Sequence, residues 1–368
     1  MTALSKIREN FPVLSKHIYL NTPASGLLPA SVLKWRQKHD VDFFEGGSFF
    51  RAQHDAHFES IRLQVAQFFN ATTQEVVLTP NFSIGCNFFA EGFTHLKKVL
   101  VLENDYPSLW WPFVKRGFQV VKVPQVEEVE AAIFEACSKN KPAIFIFSKT
   151  QYLNGLTLSE DFLKQLKVAF PEMLLFADGT QFLGTTKFNF KDSAIDCIGC
   201  SAYKWLLAGY GNGFYLVKPE VSKLCAPKVV GYNSATTFAM PLDEVPFQNQ
   251  FEPGHLDTLV FGTLAESIKY LEVVGMSFIS TQIEKIMTFI VPKLVALDVL
   301  EASVLERKVH GSILNLSGGA DLFTYLQAQN IVAAPRGNGI RVGFHFYNTL
   351  EEAAQLCDAI ASYNNTTR

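Results

Sequence analysis

Short apolar runs alternate with amphipathic segments along the middle of the chain. Between Val76 and Val217 there are seven strand-like runs, VVLT, KVLVLE, QVVKVP, AIFIFS, LLFAD, CIGCSA and GFYLV. Helical patterns lie between these runs. Strands and helices that alternate in this order predict a mostly parallel sheet with helical crossovers, so we expect a large α/β domain.

The pattern changes after Gly254. Apolar residues at helical spacing cover about 258–297, strand-like runs follow near 312–316 and 340–344, and a last helical pattern covers about 349–362. Short strands combined with long helices indicate a second, smaller domain of the α+β class.

The start of the chain precedes the first strand of the predicted sheet. Residues 1–16 form a short amphipathic pattern, and helical patterns follow at about 29–43 and 52–70. We therefore expect a large α/β domain over 17–257 and a small α+β domain over 258–368, which residues 1–16 join.

Composition narrows the class of protein. The chain has 368 residues, of which 48% are hydrophobic and 18% charged, and its net charge is −3. This length accommodates two domains with large cores. The small net charge gives no electrostatic reason to expect nucleic-acid or membrane binding. The start MTALSKIREN lacks an apolar signal region, and six cysteines without a disulfide-like arrangement suggest a reducing, cytoplasmic location.

Two of the predicted strands end in residues that can carry chemistry. The run 174–177 stops at Asp178, and the run 196–202 ends at Tyr203 and Lys204. Ligands of α/β sheets bind just outside the carboxyl ends of the strands. A pyridoxal phosphate site requires a lysine that links covalently to the cofactor and an acid that pairs with its pyridinium nitrogen. Because each motif is short, a cofactor-free α/β protein stays open at this point.

Further motifs extend this pattern over nearly the whole chain, from YLNTPASGLLP near the start to RVGFHFYNT near the end. Through them the chain resembles the class V aminotransferase and cysteine desulfurase group of fold-type I pyridoxal phosphate-dependent enzymes. The resemblance implies pyridoxal phosphate as the cofactor and a homodimer with its sites at the subunit interface. It also implies two catalytic residues: Lys204, which binds the cofactor and later transfers protons, and Asp178, which keeps the pyridine nitrogen protonated.

Contacts to the cofactor ring follow from the same resemblance. Gln181 and Gln151 match polar residues near the ring oxygen. Tyr106 stands where relatives often stack a histidine on the ring, and a tyrosine can stack in the same way. Tyr203 replaces the histidine that often precedes the lysine. We expect all four side chains to contact the cofactor.

Phosphate binding calls for backbone N–H groups at a helix N-terminus and for hydroxyl groups nearby. The segment NFSIGCN follows a strand and precedes a helix, and it resembles the family's phosphate-binding turn. Phe82 and Ser83 take the two threonine positions of that turn, so Phe82 offers only its amide. Ser201 matches a second hydroxyl, and His255 stands where relatives often reach the phosphate across the dimer interface.

The resemblance also implies the substrate contacts. Arg341 in IRVGFHFYNT matches the family's arginine, whose planar guanidinium pairs with a carboxylate. Ala24 lies in a turn that resembles the lining of the substrate pocket, and Arg51 resembles a residue that approaches the neighbouring subunit's site. We expect no metal site, because the Cys197 and Cys200 spacing has no second pair of ligands.

The most direct expectation for function is an aminotransferase that acts on an amino acid or a related primary amine. A desulfurase would need a nucleophilic cysteine shortly before Arg341, and 317–340 contains none. A lyase or epimerase on the same scaffold is the alternative, with Tyr106 or Tyr203 as the second proton-transfer group of an epimerase. A catalytically silent pyridoxal phosphate-binding protein also stays open.

Overall fold

The predicted alternation of strands and helices is present in the structure. A computed structural model of the chain describes residues 3–234, 245–301, 303–307 and 309–367. The helices among these residues are α1 (Ala3–Arg8), α2 (Ala30–Gly46), α3 (Ser48–Arg51), α4 (His54–Phe69), α5 (Phe82–Gly92), α6 (Pro107–Lys115), α7 (Val129–Asn140), α8 (Glu160–Ala169), α9 (Pro219–Ser222), α10 (Thr258–Val274), α11 (Met276–Ala296), α12 (Ser303–Glu306), α13 (Ala320–Ala328) and α14 (Leu350–Thr367). The strands are β1 (Ile18–Tyr19), β2 (Val76–Thr79), β3 (Lys98–Leu102), β4 (Gln119–Val123), β5 (Ile144–Ser148), β6 (Leu174–Asp178), β7 (Cys197–Ser201), β8 (Gly213–Val217), β9 (Ile313–Ser317), β10 (Ile331–Val332), β11 (Ala334–Arg336) and β12 (Gly339–Gly343).

A seven-stranded sheet forms the centre of the large domain, with the strand order β2-β8-β7-β6-β5-β3-β4. Strand β8 runs antiparallel to both of its neighbours, and the other pairs are parallel. The seven predicted runs are these seven strands. Because β2, β5, β6 and β7 point the same way, their carboxyl ends meet at one edge of the sheet.

Side chains of the central strands alternate between two apolar layers. In β5, Phe145 and Phe147 belong to the core on one face of the sheet, and Ile144 and Ile146 belong to the core on the other. All four side chains are fully buried. Burial on both faces explains why these strands read as continuous apolar runs in the sequence.

The smaller domain is built on a three-stranded antiparallel sheet with the order β11-β12-β9. Strands β9 and β12 correspond to the strand patterns near 312–316 and 340–344, whereas β10 and β11 were not predicted. Strand β1 pairs in parallel with β10, although we assigned residues from 17 onward to the large domain. The chain start therefore contacts the smaller domain, and the domain limits stay a prediction.

The predicted helical stretch at about 258–297 consists of two helices, α10 and α11. Gly275 separates them and has a φ of 90°, a conformation that residues with a Cβ rarely adopt. Its N–H still bonds to the carbonyl of Leu271 at 2.8 Å, so the glycine closes α10 before the chain turns into α11. Among the helices that the structure describes, none has the length and apolar character needed to cross a bilayer.

A buried ion pair ties the end of the large domain to its sheet. The guanidinium of Arg62 on α4 contacts both carboxylate oxygens of Glu252, one of them at 2.8 Å. Glu252 also accepts the N–H of Leu78 on β2 at 2.9 Å, and Arg62 donates to the carbonyl of Val76. The segment FEPGH is thereby held against α4 and the edge strand.

Arg62→Met should lower the free energy of unfolding by about 3 kcal/mol, because it leaves the Glu252 carboxylate buried without its partner. Urea unfolding followed by circular dichroism measures this change. Lys38→Met is the matched control, since it breaks an exposed ion pair with Asp42 that contributes little. Equal changes in the two variants would contradict a structural role for the buried pair.

Candidate active site

A cavity of about 400 Å³ opens at the edge of the large sheet where the carboxyl ends of the strands meet. The loops and helix starts that follow β2, β3, β5, β6 and β7 supply its walls. The residues that line it are Pro80, Asn81, Phe82, Ser83, Ile84, Tyr106, Ser148, Thr150, Tyr152, Asp178, Thr180, Gln181, Ser201, Tyr203, Lys204, Tyr210 and Gly211. This set includes eight of the predicted site residues, namely Lys204, Asp178, Gln181, Tyr106, Phe82, Ser83, Ser201 and Tyr203.

Lys204 follows β7 and extends its side chain into this cavity. Burial lowers the pKa of its amine to about 8, an effect that nearby Asp178 opposes and Arg341 reinforces. The amine lies 5.5 Å from the centre of the Tyr203 ring and has no hydrogen bond or ion pair within the described part of the chain. A neutral amine is a nucleophile and a base, so the site supplies a lysine that is reactive near neutral pH.

The backbone around Lys204 is covered by the loop that follows β1. The N–H of Gly26 bonds to the carbonyl of Tyr203 at 2.8 Å. A Cβ added at Gly26 would lie 1.9 Å from the carbonyl oxygen of Lys204, so only glycine allows this approach. The turn-rich segment near the start of the chain therefore closes over the peptide that carries the lysine.

A second lysine provides a contrast within the same sheet. Lys149 follows β5 and is also buried, and burial lowers the pKa of its amine. That amine donates to the carbonyl of Leu158 at 2.5 Å and forms an ion pair with Glu160 at 2.9 Å. Lys149 lies outside the lining of the cavity, so its buried amine has a structural role.

Asp178 ends β6 and faces the cavity as a buried carboxylate. Its Oδ1 accepts the N–H of Thr180 at 2.8 Å. Burial raises the pKa of Asp178 to about 6, while the hydrogen bonds from Thr180 and the charge of Lys204 act in the opposite direction. Above this pKa the side chain is an anion in a low-dielectric site, which favours a cationic partner.

Asp105 is a buried acid that was not among the predicted site residues. It follows β3 and accepts the N–H and the hydroxyl of Ser148 at 2.8 and 2.5 Å. It also accepts the N–H of Tyr106 at 2.8 Å. Burial raises its pKa. The position of this acid just after an apolar strand was the available signal, and its bonds hold Tyr106 and Ser148 at the cavity.

The start of α5 forms the polar end of the cavity. The side chain of Asn81 caps the helix by accepting the N–H of Ile84 at 2.9 Å. The N–H of Phe82 donates to the hydroxyl oxygen of Ser201 at 2.9 Å, and the Ser83 hydroxyl bonds to Ser108 at 2.8 Å. Hydroxyls beside the first turn of a helix suit an anion such as a phosphate.

Two tyrosine pairs form the aromatic walls. Tyr106 meets Tyr152 edge to face at 5.3 Å, and Tyr203 stacks on Tyr210 at 4.6 Å. Burial raises the pKa of Tyr203 to about 12, so its phenol remains a hydrogen-bond donor at neutral pH. Tyr152 and Tyr210 were not among the predicted residues, because neither lies in a motif with a recognisable spacing.

The two predicted glutamines differ in their surroundings. Gln181 lines the cavity, and its amide bonds to the Trp205 indole and to the carbonyl of Pro23. Gln151 is buried, but it is not part of the cavity lining. Its side chain accepts N–H groups of its own loop and donates to the carbonyl of Asn104 at 3.1 Å. A contact between Gln151 and the cofactor stays a prediction.

Arg341 lies on β12 and approaches the cavity from the smaller domain. One of its Nη atoms donates to the carbonyl of Tyr152 at 2.9 Å, and its buried Nε has no hydrogen-bond partner within the described residues. Burial lowers its pKa to about 10, which leaves it cationic at neutral pH. Ala24 is half-buried in the loop after β1 and, like Arg341, lies outside the cavity lining itself.

Arg51 and His255 occupy a different cavity of about 760 Å³. Their side chains are 2.7 Å apart, from Nη2 of Arg51 to Nε2 of His255, and the His255 ring stacks on Tyr232. Within one chain neither residue lines the Lys204 cavity. Their assignment to the neighbouring subunit's site stays a prediction.

The cysteines lie away from the cavity. All six are free and buried, and burial raises the pKa of each thiol. None of them lines the cavity. In the part of the chain that the structure describes, no group of three or more His, Cys, Asp or Glu side chains is placed to hold a metal ion.

Comparison with known proteins defines the class. The family model "Aminotransferase class-V" matches residues 18–356, so the chain belongs to this family and is a pyridoxal phosphate-dependent enzyme. Among its relatives, a probable cysteine desulfurase from Borreliella burgdorferi is 23% identical and covers 94% of this chain and 93% of its own. The uncharacterized aminotransferase YcbU from Bacillus subtilis is 22% identical and covers 96% of each chain.

Solved structures agree with the predicted fold. The apo cysteine desulfurase from Thermococcus onnurineus NA1 superposes with a TM-score of 0.86 at 19% identity, over 99% of this chain and 98% of its own. The cystine C-S lyase C-DES, in complex with its product cysteine persulfide, superposes with a TM-score of 0.85 at 18% identity, over 95% of this chain and 99% of its own. These likenesses confirm fold type I.

The side chains of the cavity fit pyridoxal phosphate. Lys204 presents an amine that has no partner in the described part of the chain and suits the cofactor aldehyde, and Asp178 presents a buried carboxylate for the ring nitrogen. The start of α5 with Ser83 and Ser201 suits the phosphate, and the unpartnered Nε of Arg341 suits a substrate carboxylate.

The covalent reaction of the apoenzyme with pyridoxal phosphate should accelerate as pH rises through about 8, because the Lys204 amine is the nucleophile only when neutral. Stopped-flow absorbance of the linked cofactor measures this rate. Lys204→Ala should abolish the linked absorbance, and Lys149→Ala is the control that should retain it. A rate that rises only near the pH of an ordinary lysine would contradict this assignment.

Proposed function

We propose that the enzyme breaks the carbon–sulfur bond of a cysteine-type amino acid by β-elimination, and that the sulfur leaves in a small-molecule product. The observation that carries this proposal is the absence of any thiol around Lys204. All six cysteines of the sequence lie among the described residues, and every one is buried outside the cavity. Transfer of sulfur to an enzyme cysteine therefore has no acceptor at this site.

Relatives support carbon–sulfur chemistry. The structural neighbour C-DES is described as a cystine C-S lyase whose reaction product is cysteine persulfide, a small molecule that carries the sulfur away. Several curated relatives are named probable cysteine desulfurases. A lyase reaction reconciles these relatives with a cavity that contains no thiol, so we place it ahead of the transamination expected from the sequence.

The chain's own residues perform distinct parts of the reaction. The bound cofactor supplies an electron sink for the carbanion at the substrate α-carbon. Asp178 holds the proton at the ring nitrogen. Lys204 would take the α-proton of the substrate as a neutral base. Arg341 binds the carboxylate, and the Tyr203 phenol, protonated at neutral pH, can donate a hydrogen bond toward the leaving sulfur.

Atoms balance in this reaction without an external oxidant. The α-proton and the sulfur leave the substrate, and the three-carbon remainder takes up water to give pyruvate and ammonia. Cysteine would release sulfide, and cystine would release cysteine persulfide. Burial raises the pKa of Tyr203 to about 12, so this phenol lines the cavity as a neutral group and leaves Lys204 as the base.

Transamination is the second candidate. It is the reaction expected from the sequence, it too requires no thiol, and the relative YcbU is named an aminotransferase. The two reactions differ in the fate of the amino group, which elimination releases as ammonia and transamination passes to a keto acid. The lyase alternative from the sequence is the elimination proposed here. An epimerase would return the amino acid with its configuration inverted and its amino group retained, and a silent cofactor-binding protein would give no product.

We further propose that the enzyme works as a homodimer in the cytoplasm. Arg51 and His255 lie together in a cavity apart from Lys204, which suits residues that complete the site of a second copy. Six free cysteines are typical of a reducing compartment. Sedimentation of the purified protein tests the dimer.

The purified enzyme loaded with pyridoxal phosphate should convert cysteine or cystine to pyruvate and ammonia, with no keto acid required. Mass spectrometry and a lactate dehydrogenase-coupled assay measure the products, and Lys204→Ala is the inactive control. Alanine as the product would instead indicate desulfuration. Turnover only in the presence of a keto acid would establish transamination, and no turnover over an amino acid panel would favour a silent protein.

Arg341→Lys should lower kcat/KM roughly 10- to 100-fold, mainly through a higher KM, because an ammonium cannot form the paired hydrogen bonds of a guanidinium. The matched control is Arg336→Lys, which changes an exposed arginine whose side chain donates to the carbonyl of Pro335. Steady-state kinetics measure both variants. A larger loss in the Arg336 variant would transfer the carboxylate-binding role to that residue.

A further inference from the structure

Trp205 follows the cofactor lysine directly, yet its side chain takes no part in the chemistry described above. The residue is almost completely buried. Its indole Nε1 donates to the Oε1 atom of Gln181 at 2.6 Å. The Nε2 atom of the same glutamine donates to the carbonyl of Pro23 at 3.0 Å. Both ends of the Gln181 amide are thus fixed by groups outside the cavity.

The indole distinguishes the two ends of the amide. An indole nitrogen can only donate a hydrogen bond, and a backbone carbonyl can only accept one. If the amide turned over, its NH₂ group would face the indole N–H and its oxygen would face the Pro23 carbonyl. Both contacts would be repulsive. In the observed orientation the second N–H of Gln181 bonds to neither Trp205 nor Pro23.

Trp205 is itself held from several sides. His345 donates from Nε2 to the Trp205 carbonyl at 3.0 Å, and its ring meets the indole edge to face at 5.1 Å. Burial lowers the pKa of His345 to about 3, so this ring stays neutral over the working pH range. A Cβ at Gly184 would lie 2.6 Å from the Trp205 carbonyl oxygen, so the loop packs directly against it.

We propose that Trp205 is a positioning residue whose indole N–H fixes the Gln181 amide so that it presents an N–H, and not its carbonyl, to the cofactor ring oxygen. This inference rests on the binding of the cofactor at Lys204. It assigns a role to a side chain that lies outside the cavity lining, and it connects the smaller domain to the cofactor through His345.

The proposed orientation has a measurable consequence. A hydrogen bond donated to the ionised ring oxygen stabilises one form of the linked cofactor. In this form, the nitrogen that joins the cofactor to Lys204 has lost its proton. The Gln181 N–H therefore lowers the pKa of the linked cofactor, and an amide carbonyl in its place would raise that pKa.

The test is the pH titration of the visible absorbance of the lysine-linked cofactor in purified holoenzyme. Trp205→Phe should raise the titration midpoint by about one pH unit, which corresponds to the loss of one hydrogen bond to a charged oxygen. Gln181→Leu should raise it by a similar amount. The double variant should shift no further than either single variant, because both changes remove the same interaction.

Ser267→Ala is the matched control. It removes a buried hydrogen bond from Ser267 to the carbonyl of Leu206, the residue after Trp205, without reaching the cavity. The midpoint of this variant should equal that of the wild type. A shift in the control, an unshifted Trp205→Phe midpoint or additive shifts in the double variant would each overturn the proposal.

Two further outcomes have separate meanings. If the wild type forms no linked cofactor, the assignment of Lys204 fails, and that result is distinct from a failure of Trp205. If Trp205→Phe does not fold, hydrogen exchange of the Trp205 indole N–H, read by NMR, decides the matter. Protection in the wild type that is lost in Gln181→Leu supports the proposal, and equal exchange in both proteins overturns it.

Discussion

The candidate active site depends on one lysine amine that is removed from water and has no partner among the described residues. Lys204 lies at the end of a strand that is buried on both faces, and burial brings its pKa down to about 8. Lys149, at the end of a neighbouring strand, is buried too, but its amine is ion-paired. The two amines therefore differ in their surroundings, and we assign the reactive role to Lys204 and a structural role to Lys149.

Much of the candidate site could be predicted to lie together because parallel strands bring their carboxyl ends to one edge. Asp178 and Lys204 are far apart in sequence, yet each follows an apolar run, and a sheet of this kind places such residues together. Residues whose roles depend on contacts between distant segments were missed. Asp105 acts through Ser148, and the Trp205 indole acts on Gln181. No spacing in the sequence encodes those pairs.

Other differences have local causes. The break between α10 and α11 depends on the positive φ of a single glycine, Gly275, inside a stretch that otherwise has helical spacing. Strand β1 is too short to be assigned to a domain by pattern, and its partner β10 lies far along the chain. The reaction is harder to predict than the fold, because relatives that share this family are named for different reactions.

Chemical identification of the cofactor lysine tests the account most directly. The holoenzyme would be reduced with borohydride, which makes the covalent link permanent, and then digested and analysed by peptide mass spectrometry. The account predicts that the pyridoxyl group is found on Lys204. Modification of Lys149 or of another lysine in place of Lys204 would contradict the roles assigned to Lys204, Asp178 and Trp205 together.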